Sequence, residues 1–137
     1  MTAASAVTET DASKASGGEM ARFALAIKVA LAGQNNAVMV FDEVDQGVGG
    51  AVADAVGKRL ARLSENGQVF VVTHSAQVAA CAGHQFRIEK SSDGIVTKTH
   101  VHVIDEAARE EEIARMLAGE TVTDAARAAA RQLMQAP

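Results

Sequence analysis

Apolar residues recur along the chain with two different spacings, which predict helices and strands in turn. Apolar side chains fall at helical spacing over residues 20–31 and again over residues 52–63. Residues 37–41 and residues 69–72 are instead continuous apolar runs, each followed by polar residues. Because such runs are apolar on both faces, they are typical of strands buried inside a parallel sheet. The order strand, helix, strand therefore predicts a parallel βαβ unit with a right-handed crossover.

The second half of the chain predicts a short helix, a hairpin and two closing helices. The hairpin turn is expected at residues 91–94, which end in Asp-Gly, and the last helix is expected to begin at Thr121. The acidic run at residues 110–112 reads as a solvated first turn, and Arg127 and Arg131 as part of an exposed helix face. The predicted elements are a helix over residues 75–82, strands over 85–90 and 95–104, and helices over 106–118 and 121–135.

A candidate anion-binding feature lies at the start of the first predicted helix. Ser16 and Glu19 have the spacing of a capping box, and Gly17 and Gly18 stand between them. Glycines let a ligand approach the backbone closely, and a helix N-terminus offers unpaired N–H groups and a positive dipole. The pattern therefore suits a phosphate group, although by itself it is more typical of a plain helix cap.

Polar side chains that suit metal and acid–base chemistry follow both predicted strands. Asp42 and Glu43 come directly after the first strand, and His74 follows the second, at the strand ends where α/β sheets bind ligands. One carboxylate is suited to hold Mg²⁺ directly or through water, and the next to act as a general base. A neutral histidine beside them is able to orient a water or contact a phosphate. Taken singly, each residue also fits a polar strand end that has no chemical role.

Composition narrows the classes of protein that remain. The 137 residues are 48% hydrophobic and 22% charged, which excludes a disordered polar tail. The net charge of −4 and the 3% aromatic content argue against a chain that grips nucleic acid or stacks bases by itself. The one cysteine, Cys81, excludes an internal disulfide and fits a reducing cytoplasm. No apolar run reaches the ~18 residues of a membrane span.

Together and in this order, the motifs resemble the head of ABC-type ATPases, and in detail the C-terminal head lobe of the RecN family of bacterial SMC-like DNA-repair ATPases. The segments that carry the resemblance are residues 14–22, 41–50, 72–80 and 111–119. It implies an α/β fold, a partial ABC/SMC-type P-loop ATPase head with a parallel βαβ core, a β-hairpin and C-terminal helices. Residues 1–13 are then expected to form a disordered tail, and residues 14–136 the lobe.

The resemblance implies that ATP is bound between two heads, with the signature motif of one head facing the nucleotide of the other. Ser16, Gly17 and Gly18 are implied to touch the γ-phosphate of ATP held by the opposite head. Glu19 is implied to belong to the same nucleotide-binding signature.

The resemblance also implies roles for the residues at the two strand ends. Asp42 is implied to position Mg²⁺ through water, and Glu43 to activate the hydrolytic water. Asp45 is implied to communicate across the head interface, and His74 to sense the γ-phosphate. Glu43 and His74 are therefore the expected catalytic residues, and ATP and Mg²⁺ the expected cofactors.

One motif of such ATPases, the phosphate-cradling G-x-x-x-x-G-K-[ST], does not occur in the 137 residues. The nearest feature, Gly57-Lys58, is followed by Arg59 and lies in a predicted helix. We therefore expect the chain alone neither to bind ATP tightly nor to hydrolyse it. The expected partners are an N-terminal head lobe or a second RecN-like head, and DNA through the assembled complex. The expected location is the cytoplasm, at the nucleoid, with no membrane contact.

Three other interpretations explain part of these observations. The C-terminal part of an ABC transporter's ATP-binding subunit has the same fold, but residues 44–48 are more typical of SMC and RecN heads. A catalytically inactive module that docks on a complete head explains the missing motif, but not the presence of both acids and the histidine. A zinc site lacks a usual finger spacing; its candidate ligands are Cys81, His84, His100 and His102.

Overall fold

The described part of the chain consists of strands and helices in the predicted order. The structure is a computed structural model, and it describes residue 26 and residues 38–135. Its elements are β1 (Val38–Asp42), α1 (Gly50–Ser64), β2 (Gln68–Val72), α2 (Ala76–Ala80), β3 (Gln85–Ser92), β4 (Thr97–Ile104), α3 (Glu106–Ala118) and α4 (Asp124–Gln135). Within these residues, no helix is long and apolar enough to cross a membrane. The predictions for residues 1–13 and for the helix that begins at Ser16 lie outside the described residues.

The predicted βαβ unit is confirmed. β1 and β2 pair in parallel, and α1 connects them. The register places Asp42 opposite Val72, so the two strands end at the same edge of the sheet. α1 packs on one face of this pair, because its apolar stripe meets the inward side chains of β1 and of α2. The buried residues of this cluster are Phe41, Ala53, Leu60 and Val78.

The opposite face of the parallel sheet is exposed, so the prediction that the two strands are buried on both faces is wrong for the described residues. Val38 and Val40 of β1 are 63% and 66% exposed, and Phe70 and Val72 of β2 are 40% and 48% exposed. These side chains share one face, since residues that pair across a ladder point the same way. We call this set the open sheet face. It is open because α1 covers only the other side of the sheet.

The hairpin forms as predicted, but its turn lies two residues later. β3 continues to Ser92, and residues 93–96 make the connection to β4. The Asp93 carboxylate accepts hydrogen bonds from the N–H groups of Ile95, at 3.0 Å, and Val96, at 2.8 Å. These local bonds occupy donors that a strand would otherwise use. Ile95 therefore lies in the turn and not in the strand that was predicted over residues 95–104.

α3 and α4 pack against each other and against α2 through small residues. Ile113, Ala114 and Ala130 are each 0% exposed. α3 has the predicted bounds and ends at Gly119, whose φ of 79° suits glycine. α4 begins at Asp124, after Thr123 and not at Thr121, because the Thr123 hydroxyl accepts the N–H of Ala126 at 3.2 Å.

The acidic run on α3 is paired and is not the solvated first turn that we expected. Glu111 receives two hydrogen bonds from Arg127 of α4, at 2.8 and 3.0 Å. One turn further along α4, Arg131 donates to Glu110 at 2.6 Å. The two arginines therefore lie at the α3–α4 contact, where they bind carboxylates of the same chain.

α1 and α2 approach each other closely at Gly57. A Cβ atom at this position would lie 2.8 Å from the Cys81 sulfur and 3.1 Å from the Val78 Cα atom. Real Cβ contacts are longer than this, so only glycine fits without a shift of α2. Gly57 thus lies within a helix, as predicted, and the structure adds a packing role for it in the middle of α1.

Candidate functional site

The carboxyl ends of β1 and β2 bring the predicted polar residues to one edge of the sheet. The parallel register continues past the strands, since the N–H of Glu43 donates to the Val72 carbonyl at 3.0 Å. Asp42 and Glu43 leave this edge from β1, and His74 leaves it from β2. Parallel strands produce such a cluster because their carboxyl ends point in the same direction.

Glu43 has a backbone conformation that is unusual for a residue with a side chain. Its φ of 49° is positive, and within the described residues no other non-glycine residue has a positive φ. An L-residue in the left-handed region costs roughly 1–2 kcal/mol relative to the right-handed one. Strain of this kind often marks functional sites, where the surrounding structure holds the residue in place. This conformation was not predicted from the sequence.

The carboxylates of Asp42 and Glu43 lie exposed at this edge of the sheet. Both residues are exposed, and neither carboxylate has a hydrogen-bond or ion-pair partner among the described residues. Carboxylate oxygen is the donor that Mg²⁺ prefers, and Mg²⁺ keeps several waters when it binds one or two carboxylates. The two side chains therefore fit the metal and the water that the sequence led us to expect.

Asp45, in contrast, is buried and is held from the opposite strand. Asp45 is 4% exposed, and its Oδ2 atom accepts a hydrogen bond from the Thr73 hydroxyl at 2.7 Å. Its second oxygen, Oδ1, is buried without a partner among the described residues. Burying a carboxylate oxygen without a partner raises the free energy of the folded chain. The hydrogen bond from Thr73 to the other oxygen therefore helps to hold Asp45 and the loop after β1 in place.

Thr73 also fixes the backbone on the other side of His74. The N–H of Ser75 donates to the Thr73 oxygen at 2.9 Å. Ser75 in turn caps α2, because its hydroxyl accepts the N–H of Val78 at 3.4 Å. His74 lies between these two anchored residues, with its own side chain exposed.

Asp45 and His74 line the same cleft, whose volume is about 310 Å³. Polar atoms enter it from Ser75 and Gln77, and apolar ones from α1 and α3. Asp42 and Glu43 do not line this cleft. The edge of the sheet therefore carries two neighbouring parts, an exposed acidic pair and a cleft between Asp45 and His74.

Four of the predicted site residues are thus gathered at one edge, and one residue was missed. The four are Asp42, Glu43, Asp45 and His74. The missed residue is Thr73, which lies within residues 72–80 and was not predicted as a site residue; its position directly before His74 at a strand end is the signal that could have found it. The remaining predicted residues, Ser16, Gly17, Gly18 and Glu19, lie outside the described residues.

Among the described residues, no group of three or more His, Cys, Asp or Glu side chains is arranged to hold a metal ion. His100 and His102 stack on the polar face of β4, with their ring centroids 6.1 Å apart. Cys81 instead packs between α1 and α2, and burial, followed by the nearby Asp54 charge, raises the pKa of its thiol. The candidate zinc ligands therefore serve other contacts in this part of the chain.

The fold is similar to that of a solved ATPase. The structure matches a solved chain from work on ATP-driven dimerization and DNA-stimulated activation of SMC ATPases. The TM-score is 0.61, and the match covers 78% of this chain and 64% of that one at 23% sequence identity. The chain therefore has the fold of part of an SMC-type ATPase head, and the predicted fold class is confirmed.

Sequence comparison identifies the relatives within that class. The chain is 48% identical over 122 residues to the DNA repair protein RecN of Streptomyces coelicolor. It is 48% identical over 120 residues to RecN of Deinococcus radiodurans. Each match covers 88% of this chain and 21% of the relative, so the chain spans about a fifth of the length of these curated relatives. No protein-family model matches the chain. The resemblance to RecN is confirmed.

Proposed function

We propose that the chain is the C-terminal lobe of a RecN-like ATPase head that acts in the repair of DNA double-strand breaks. One observation carries the proposal: the acidic pair of Asp42 and Glu43 lies at the same edge of a parallel strand pair as the cleft lined by Asp45 and His74. The fold of an SMC-type head and the sequence of a RecN protein support the same reading.

In this proposal each residue at the edge has a distinct task. Asp42 holds Mg²⁺ through water, since its carboxylate is exposed at the strand end. Glu43 accepts a proton from the attacking water, and its backbone conformation keeps the carboxylate at the edge. His74 contacts the terminal phosphate from the second strand. When bound, Mg²⁺ and ATP supply the metal charge and the phosphoanhydride bond that is cleaved.

Other residues of the lobe face a second head in the proposal. Ser16, Gly17, Gly18 and Glu19 form the signature that binds the phosphates of ATP on the opposite head. Asp45 communicates across the same interface. DNA is contacted by the assembled dimer, which agrees with the net charge of −4 on this lobe.

A separate N-terminal lobe supplies the phosphate-cradling loop in this proposal. The open sheet face supports the need for a further lobe, because parallel sheets in α/β proteins are covered on both faces. Four large apolar side chains of this face are 40–66% exposed, which is unusual for a parallel sheet that has helices on both faces.

The proposal is tested by mixing the chain with a P-loop-containing N-terminal lobe from a RecN relative and measuring phosphate release. We expect ATP hydrolysis from the mixture and none from either piece. Glu43→Gln should lower the rate by about 10²-fold or more, since it removes the general base without changing the size of the side chain. Glu65→Gln is the matched control, because Glu65 is an exposed carboxylate at the far end of α1.

Two results contradict the proposal. Hydrolysis that persists in Glu43→Gln shows that another group activates the water. Association of the two pieces without any hydrolysis favours the inactive interaction module over an ATPase lobe.

A further inference from the structure

We propose that Thr73 is a positioning residue that couples the loop of Asp45 to His74, an inference that rests on the proposed role of His74 in hydrolysis. The side chains of Thr73 and Asp45 are 28 residues apart in sequence and meet at 2.7 Å. This bond is the point where the segment after β1 is tied to the segment after β2.

The hydroxyl of Thr73 is used in both directions. It donates its proton to Asp45 Oδ2 and accepts the N–H of Ser75 at 2.9 Å. A hydroxyl has one proton to donate, so its donor capacity is taken up by Asp45. A β-branched side chain is also stiff about its first torsion, so the hydroxyl cannot swing away without moving the backbone.

Asp45 depends on this bond. Asp45 is 4% exposed, and its other carboxylate oxygen is buried without a partner among the described residues. Any displacement of Asp45 by a partner therefore pulls on Thr73 or breaks the bond. Breaking it leaves a buried carboxylate without a side-chain partner among the described residues, which is strongly unfavourable.

A displacement of Asp45 would reach His74 through both of its neighbours in the chain, Thr73 and Ser75. It follows Thr73 directly and precedes Ser75, whose N–H is bound to the same hydroxyl. The turn that contains His74 is thus closed on Thr73. Asp45 and His74 also line one cleft, so a small shift of either residue changes the same space.

Glu43 is connected to the same loop. The N–H of Gln46 donates to the Glu43 carbonyl at 3.1 Å, and the N–H of Val48 donates to the Asp45 carbonyl at 3.3 Å. The loop of Asp45 is therefore a folded turn that begins at the proposed general base. The backbone bond from Glu43 to Val72 holds the start of that turn. The Thr73 hydroxyl links the Asp45 side chain of the turn to the segment of the proposed phosphate sensor.

The first test uses the chain alone and does not depend on ATP hydrolysis. The ¹³Cε1–¹Hε1 signal of the His74 ring is followed by NMR and assigned with His74→Gln. We expect Asp45→Ala to shift and broaden this signal in the parent chain and to have no further effect in a Thr73→Val background. The signals of His84 and His100 serve as internal references. Equal effects of Asp45→Ala in both backgrounds would falsify the coupling.

Two conservative variants distinguish the loss of the hydrogen bond from a loss of folding. Thr73→Ser keeps the hydroxyl and should preserve the parent signal of His74. Asp45→Asn keeps an acceptor oxygen for Thr73 and should also preserve it. If Thr73→Ser behaves like Thr73→Val, the hydroxyl is not the link and the inference is wrong.

The second test uses the assembled head. Thr73→Val should lower kcat on the order of tenfold, the loss that follows from about 1.4 kcal/mol in the transition state, with KM unchanged. Thr73→Ser should remain within about twofold of the parent. A rise in KM with unchanged kcat contradicts a positioning role. An assembled head that hydrolyses no ATP overturns the proposed function, whereas the NMR result still decides the coupling.

Discussion

At the scale of single residues, Glu43 combines a strained backbone conformation with a proposed role as general base. Its φ of 49° lies in the left-handed region, where side chains are disfavoured and glycine is not. Selection for stability alone would favour glycine at this position. The presence of a glutamate therefore fits a residue that is kept for its carboxylate.

We expect Glu43→Gly to raise the free energy of unfolding by about 0.5–1 kcal/mol, because it relieves the left-handed strain at a modest entropic cost. Chemical denaturation of the chain measures the effect. The matched control is Glu65→Gly, which should destabilise the chain by about 0.4–1 kcal/mol, because Glu65 has an unstrained φ of −64° and glycine only adds freedom to the unfolded chain. Equal losses in the two variants contradict strain at Glu43.

At the scale of elements, the close approach of α1 and α2 depends on a glycine, Gly57, which has no side chain to separate them. Gly57 lies at the point where α1 meets Val78 and Cys81 of α2 and of its C-cap. α2 directly follows His74, so this contact also helps to fix the cleft. Helix packing and the candidate site are therefore connected through a short helix of five residues.

Gly57→Ala should lower the free energy of unfolding by about 1–3 kcal/mol, although alanine is the better helix former by about 1 kcal/mol. The clash outweighs helix propensity because one of the close atoms is backbone, the Val78 Cα at 3.1 Å. Thermal and denaturant unfolding measure the loss. Gly50→Ala should be nearly neutral, since its nearest contact is the end of the Gln77 side chain at 3.5 Å. A stabilised Gly57→Ala chain would show that α2 moves aside easily.

At the scale of the whole molecule, ion pairs connect elements that the sequence separates. Glu112 of α3 is only 8% exposed and accepts two hydrogen bonds from Arg115, at 2.6 and 2.9 Å. Arg87 of the hairpin lies 4.0 Å from the same carboxylate. Through these charged contacts, Glu112 links the hairpin to the closing helices.

The hydrogen bonds from Arg115 lower the pKa of Glu112, and the more distant Arg87 acts in the same direction, whereas burial opposes it. A carboxyl whose pKa is lowered on folding stabilises the chain above its unfolded pKa and loses this contribution as the pH falls through the folded pKa. Stability should therefore decline from about pH 5 downwards. Glu112→Gln should be less stable at pH 7 and lose less on acidification, as measured by denaturation at several pH values. An unchanged pH dependence contradicts this, and Glu65→Gln is the control.

The sequence by itself predicted the order of the elements and which polar residues follow the two parallel strands. Asp42, Glu43 and His74 follow apolar runs within two residues, and the C-terminal end of α3 is set by Gly119. Such features are local, because periodicity and turn residues report on the segment that contains them. The sequence also carried the resemblance to RecN, since a resemblance needs motifs and not contacts.

Only the tertiary structure decided which segments meet and which faces remain open. The bond from Thr73 to Asp45 joins residues 28 positions apart, and the pair of Arg127 and Glu111 joins residues 16 apart. The exposed side of β1 could not be predicted, because an apolar run fits a strand that is buried on both faces and one that awaits a partner. Contacts between distant segments depend on how the elements pack, and no spacing along a single segment contains that information.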